Sequence, residues 1–91
     1  MKATYKVKVK ESEGWMCTDQ DTDQWVKKIS ETKFEVLENG MIQEIDLEKY
    51  TDEEIIDYIS SFGYDLDSVK EIYGESANQI IAECIAETDS Y

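Results

Sequence analysis

At Thr51 the apolar spacing of this chain changes. Before it, hydrophobic residues alternate with polar ones; after it, they recur every three or four residues. Alternation puts successive side chains on opposite faces of a strand, whereas the longer spacing lines one stripe of a helix. A chain divided in this way is expected to fold as strands followed by helices, the α+β class. Its 91 residues, 41 % of them hydrophobic, suffice for one domain spanning 1–91 with a modest core.

The strand half, about residues 3–48, opens with Ala3–Lys10, where Tyr5, Val7 and Val9 alternate with Lys6, Lys8 and Lys10. One face of that strand is apolar and the other is a ladder of lysines. Gly14 interrupts the pattern, and Trp15-Met16-Cys17 begins a short extended piece before the polar loop Thr18–Gln24. Trp25–Ser30 and Lys33–Glu38 read as strands joined by a turn at Glu31-Thr32. Asn39-Gly40 then marks a two-residue hairpin, because both central positions of a type I′ turn need positive φ. That turn pairs Glu38 with Met41, Leu37 with Ile42, Val36 with Gln43, Glu35 with Glu44 and Phe34 with Ile45. It places Phe34, Val36, Ile45 and Leu47 on one face. It also sets two glutamates directly opposite each other, which is destabilising unless cations lie near. The lysine ladder is the expected source, which predicts that the first strand lies beside the hairpin.

The helical half, about residues 52–87, carries clear start and stop signals. Thr51-Asp52-Glu53-Glu54 is a capping box, followed by the stripe Ile55, Ile56, Ile59 and Phe62 and a stop at Gly63. Asp65 or Asp67 caps a second helix through Val69, Ile72 and Tyr73, closed by Gly74. Ser76-x-x-Gln79 predicts another capping box, opening a third helix with Ala77, Ile80, Ile81, Cys84 and Ile85 inward and Glu83 and Glu87 outward. The tail from Thr88 is expected to fray. The predicted architecture is an antiparallel meander of three or four strands with two or three helices packed on one face.

Charge bears on partners. Residues 1–33 carry seven lysines and six acids, whereas residues 34–91 carry two lysines and sixteen acids, and the whole chain has a net charge of −13. Such a chain repels nucleic acid and anionic membrane and attracts basic surfaces. Asp52, Glu53, Asp57, Asp65, Asp67, Glu71 and Glu75 fall off the apolar stripes of the first two helices. Carboxylates three or four positions apart on a helix stand about 5–6 Å apart, a spacing of the order of phosphates along a nucleic-acid strand. A solvated surface that serves solubility is the plainer reading of the same acids. The hairpin acids Glu35, Glu44, Asp46 and Glu48 are expected to be structural.

Catalytic constellations are scarce. There is no histidine, the four glycines form no phosphate loop, and Cys17 and Cys84 are far apart in sequence. Asp19, Asp21 and Asp23 imitate the start of a calcium loop, but Gln24 and Ser30 stand where glycine and glutamate belong. No metal, cofactor or enzymatic activity is expected. Trp15 and Trp25 are expected in the core, and Cys84 as a buried thiol. No apolar run is long enough to span a membrane, and no secretory leader is read at Met1-Lys2, so a cytoplasmic protein with reduced thiols is expected.

In size, in its acidic half, in its want of catalytic residues and in its strand-then-helix layout, the chain resembles the small acidic inhibitors that phages use against host defences, anti-CRISPR proteins above all. The resemblance implies a protein of the bacterial host cytoplasm that occupies the DNA- or PAM-binding groove of a Cas effector, where basic residues read base edges and backbone. The sequence reading supports the same kind of partner, a basic nucleic-acid-binding protein. It places the contact at the seven acids named above, with Tyr58, Tyr64 or Tyr73 as an aromatic anchor. Two other readings stay open: an adaptor domain whose acidity serves solubility, and a small-molecule binder using Lys6, Lys8, Lys10, Lys27 and Lys28.

Overall fold

The computed structural model describes residues 9–38 and 40–89. The strand expected over Ala3–Lys10, its lysine ladder and its place beside the hairpin therefore lie outside the described residues, except that Val9 and Lys10 belong to no strand. After a 3-10 turn at Glu11–Glu13 come four strands: β1 (Trp15–Asp19), β2 (Gln24–Lys28), β3 (Lys33–Glu38) and β4 (Met41–Asp46). They form one antiparallel sheet in the order β1-β2-β3-β4, a meander as the alternation predicts.

The β3–β4 register is the one the Asn39-Gly40 turn imposes, with Glu38 opposite Met41 and Phe34 opposite Ile45. Gly40 has φ +75°, a conformation that side chains with a Cβ rarely adopt. Glu35 does face Glu44. The offsetting charge found among the described residues comes from the sheet itself. Lys27 of β2 is the direct cross-strand partner of Glu35, and Lys33 Nζ lies 3.4 Å from Glu44 Oε1.

Alternation gives the sheet two unlike faces. Val26, Phe34, Val36 and Ile45 point to the helices and join the core, with Leu47 from the 3-10 turn Leu47–Lys49. On the reverse face Cys17, Trp25, Leu37 and Ile42 form a cross-strand row. Leu37 there is only 2 % exposed and Trp15 is also buried, whereas Trp25 is half-buried with its indole N–H donated to Asp23 Oδ1 at 2.9 Å. The tryptophans thus serve packing, but on the side away from the helices.

The helices are α1 (Asp52–Ser60), α2 (Leu66–Tyr73) and α3 (Ala77–Asp89). α1 begins with the predicted capping box: Glu54 N–H donates to Thr51 Oγ1 and Thr51 N–H donates to Glu54 Oε1. Asp65, rather than Asp67, caps α2 by accepting from the Ser68 N–H. The box predicted at Ser76 is not formed. A 3-10 turn, Gly74–Ser76, runs directly into α3, so Ser76 already sits in a helical turn where no N-cap geometry exists.

The layering differs from helices laid side by side on a sheet. α3 supplies the main helical contact with the sheet, and α1 and α2 pack chiefly on α3. A helix between two layers must be apolar on most sides. α3 accordingly buries Ala77, Ile81, Ala82, Cys84, Ile85 and Ala86. The outer helices need only a narrow stripe, and they bury two residues each: Ile55 and Ile59 in α1, Leu66 and Val69 in α2. Ile56, Phe62, Ile72 and Tyr73, assigned to the core from spacing, are exposed instead, Ile72 by 73 %.

Two substitutions test this account in urea denaturation. Ile59→Ala, which empties a fully buried position between α1 and α3, is expected to cost about 2–5 kcal/mol. Thr51→Ala, which removes a cap without opening a cavity, is expected to cost about 1 kcal/mol. A smaller loss for Ile59→Ala than for Thr51→Ala would contradict the layering.

Candidate functional site

The outer pair of helices gathers the seven acids singled out from the sequence, and all seven are exposed. Asp52, Glu53 and Asp57 lie on α1; Asp67 and Glu71 lie on α2; Asp65 is its cap and Glu75 sits in the 3-10 turn that follows. α1 and α2 touch each other, so the acids share the outermost layer of the fold. Asp65 has a structural task as a cap, and Asp52 and Glu53 favour the first turn of α1 through the helix dipole. Apart from Asp65, the side chains of these seven make no hydrogen bond or ion pair with a described residue.

Among the described residues, the paired cations belong to the sheet half. The ion pairs are Lys28 with Glu31 at 3.3 Å and Lys33 with Glu44. Residues 51–89 hold eleven carboxylates and a single lysine, Lys70. The hairpin acids behave as expected of structural groups. Glu35 and Glu44 lie among lysines, Asp46 Oδ1 accepts from the Glu48 N–H at 3.1 Å, and Glu48 Oε1 accepts from Thr32 Oγ1.

The three candidate tyrosines are placed differently. Tyr58 is half-buried, packs edge-on against Tyr50 with centroids 5.8 Å apart, and donates its hydroxyl to the Asp89 carboxylate at 3.2 Å. Burial and that bond both raise its pKa, so it remains a donor tying α1 to the end of α3. The tail is thereby pinned through Asp89, where fraying was expected from Thr88, and the helix continues to that residue. Tyr64 and Tyr73 are exposed neighbours joined by a side-chain hydrogen bond, and Tyr73 followed by burial raises the Tyr64 pKa. Exposed Ile56, Phe62 and Ile72 accompany them, giving an acidic surface studded with large apolar groups.

Helical spacing predicts that Glu83 and Glu87 face outward, and the structure differs. Glu83 and Glu87 project from α3 along the margin of the sheet, both half-buried. Thr18 and Gln79 side chains hydrogen-bond Glu83, Gln24 Nε2 donates to Glu38 Oε2 at 3.1 Å, and Glu38 is only 7 % exposed. Burial is the first reason that Glu38 and Glu83 both have raised pKa values. Glu87 and Asp19 add to the rise at Glu38, and Glu38 and Glu87 add to it at Glu83. The neighbouring Cys84 thiol is pushed up to about 11 by burial and then by Glu83 and Glu87, so it stays protonated and unreactive. Helical spacing placed Glu83 opposite the Ile81–Ile85 stripe, but it could not reveal that the sheet covers this side of α3 as well.

These groups line a cavity of about 170 Å³ bounded by Gln24 of β2, Phe62 and Tyr64 of the α1–α2 turn, and Ile80, Glu83, Cys84 and Glu87 of α3. A shallower groove of about 360 Å³ lies between Glu54, Asp57, Tyr58, Ser61 and Thr88. Among the described residues no group of three or more cysteine or carboxylate side chains is disposed to hold a metal ion. In the loop that imitates a calcium site, Asp19 Oδ1 instead accepts from the Asp21 and Thr22 N–H groups and closes the β1–β2 turn. No helix of the described residues is long and apolar enough to cross a membrane. The chain matches no protein-family model, no curated protein and no solved structure.

The raised carboxyl groups fix the sign of a pH effect. A carboxyl whose pKa is higher folded than unfolded stabilises the fold at low pH and loses that contribution as pH climbs through the folded value. For Glu38 and Glu83 the loss therefore begins above the ordinary value of 4.5. Urea midpoints are expected to fall between mildly acidic and neutral pH. Glu83→Gln is expected to raise the midpoint at neutral pH and flatten the slope. A midpoint for Glu83→Gln that tracks the parent protein at every pH would show that burial of this charge carries no cost.

Proposed function

We propose that this protein is a non-catalytic inhibitor that docks on a basic nucleic-acid-binding surface of another protein, with the outer faces of α1 and α2 standing in for nucleic acid. One observation carries the reading: six exposed acids, five on the adjoining helices and Glu75 in the 3-10 turn after them, have side chains with no hydrogen bond or ion pair to a described residue, and a single lysine stands in residues 51–89. A surface needed only for solubility would be served by intermixed charges, without the self-repulsion of a one-sign field. The exposed Ile72, Tyr64 and Tyr73 add what charge alone lacks. Long-range attraction speeds encounter, and a few desolvated apolar contacts set how long the complex lasts.

The resemblance to anti-CRISPR inhibitors gives this reading its narrowest form, in which the basic surface is the DNA-binding groove of a Cas effector. An adaptor that used the same face without regard to charge would bind through its aromatics alone. Salt separates the two. Immobilised protein offered a bacterial lysate is expected to retain a nucleic-acid-binding partner whose affinity falls at least ~10-fold between about 50 and 200 mM salt. The triple variant Asp57→Lys, Asp67→Lys, Glu71→Lys is expected to abolish retention, and added duplex DNA to compete. Retention that is indifferent to salt and to the triple variant would leave the adaptor reading in its place.

A further inference from the structure

Exposed apolar residues scattered singly over a surface need no explanation. Those at the α1–α2 turn and the end of α2 are not scattered. Phe62 and Tyr64 line one cavity, Tyr64 shares a side-chain hydrogen bond with Tyr73, and Tyr73 follows Ile72, which is 73 % exposed. The fold leaves this cluster outside, because α2 rests on α3 through Leu66 and Val69. Asp67, Glu71 and Glu75 stand exposed at every fourth position of the same stretch, with Lys70 among them. A second copy of the chain would bring that acidic row against itself, which like charges oppose, and nucleic acid and anionic membrane are repelled for the same reason. The surface is complementary instead to a segment that carries cations beside an apolar ridge. The outer faces of α1 and α2 present side chains and not a strand edge, so the segment that fits is a helix and not an extended peptide.

We propose that Phe62, Tyr64, Ile72 and Tyr73 form the docking face for a lysine- or arginine-rich amphipathic helix of a protein partner. The apolar side of that helix packs on the cluster, and its cations lie over Asp67, Glu71 and Glu75. The proposal rests on the docking reading above and gives it a specific anchor. The acids govern how fast the partner arrives, and the apolar cluster governs how long it stays. A basic surface with no apolar ridge therefore binds weakly here, even when its charge is as great.

The probe is a helical peptide of leucine and lysine with its leucines along one face, titrated against isotope-labelled protein by NMR at neutral pH. An oligolysine of equal charge and a leucine–glutamate peptide of the same pattern are the controls. The leucine–lysine peptide is expected to shift Phe62, Tyr64, Ile72 and Tyr73 resonances saturably and to bind at least ~10-fold more tightly than oligolysine, while the leucine–glutamate peptide leaves them in place. Ile72→Ser and Tyr73→Ser are each expected to weaken leucine–lysine binding ~10-fold and to leave oligolysine binding unchanged. Both residues are exposed, so neither change empties the core. Ile29→Ser, at an exposed apolar position just after β2, is expected to alter neither affinity. Equal affinity for oligolysine, shifts centred on Met41 and Ile42, or binding untouched by both serine variants would each overturn the proposal. So would oligomers of the protein alone that Ile72→Ser disperses, which would make the occupant a second copy of the chain. Salt-sensitive partner capture that survives both serine variants would sink this assignment alone. Peptide binding at the cluster with no nucleic-acid-binding protein captured would sink only the docking reading.

Discussion

The fold depends on the burial of α3 from two directions. One helix serves both the sheet and the α1–α2 pair, so its Ala82, Ala86, Ile81 and Ile85 are removed from solvent together. Small residues let it approach the sheet closely enough for Gln43 Nε2 of β4 to donate to the Ala86 carbonyl at 3.1 Å. Its polar residues have only the margins left to occupy. Glu83 is thereby half-buried close to Thr18 and Glu38, and burial, followed by neighbouring carboxylates, raises the pKa values of Glu38 and Glu83.

The same layering sorts the charges. Lys27, Lys28 and Lys33 stay with the sheet, two of them directly in ion pairs and Lys27 across from Glu35. α3 then stands between the sheet and the outer helices, and Lys70 is the one lysine in the sequence from 51 to 89. Beside the carboxylates paired with lysines in the sheet half, others stand in different physical situations. Some satisfy backbone groups, as Asp46, Glu54 and Asp65 do at helix starts. Others are half-buried at the sheet margin. Those on the outer faces of α1 and α2 stand exposed to solvent.

A helix pair that rests on another helix needs a narrow apolar stripe, and this explains the exposed hydrophobic residues. Two turns of α2 are satisfied by Leu66 and Val69, leaving Ile72 and Tyr73 free to face outward. On α1, Ile55 and Ile59 are four residues apart and share the inner face, while Ile56, one position on, turns away from it. Spacing alone marks all of these as core, because it counts apolar residues without knowing how wide the buried stripe must be.

What the sequence determined by itself is local. The change from alternating to helical spacing, the positive-φ turn at Gly40 with the β3–β4 register it enforces, and the Thr51 capping box each arise between residues close in the chain. Local sterics and hydrogen bonds specify them before any long-range contact forms. Only the tertiary structure decided that Glu83 and Glu87 are half-buried at the sheet margin, that Ser76 loses its cap to a continuing helical turn, that Ile72 meets solvent, and that Lys27 and Lys33 offset the Glu35–Glu44 pair. Those outcomes depend on which layer each element packs against, and a residue's distance from the far side of the molecule is not written in its neighbours.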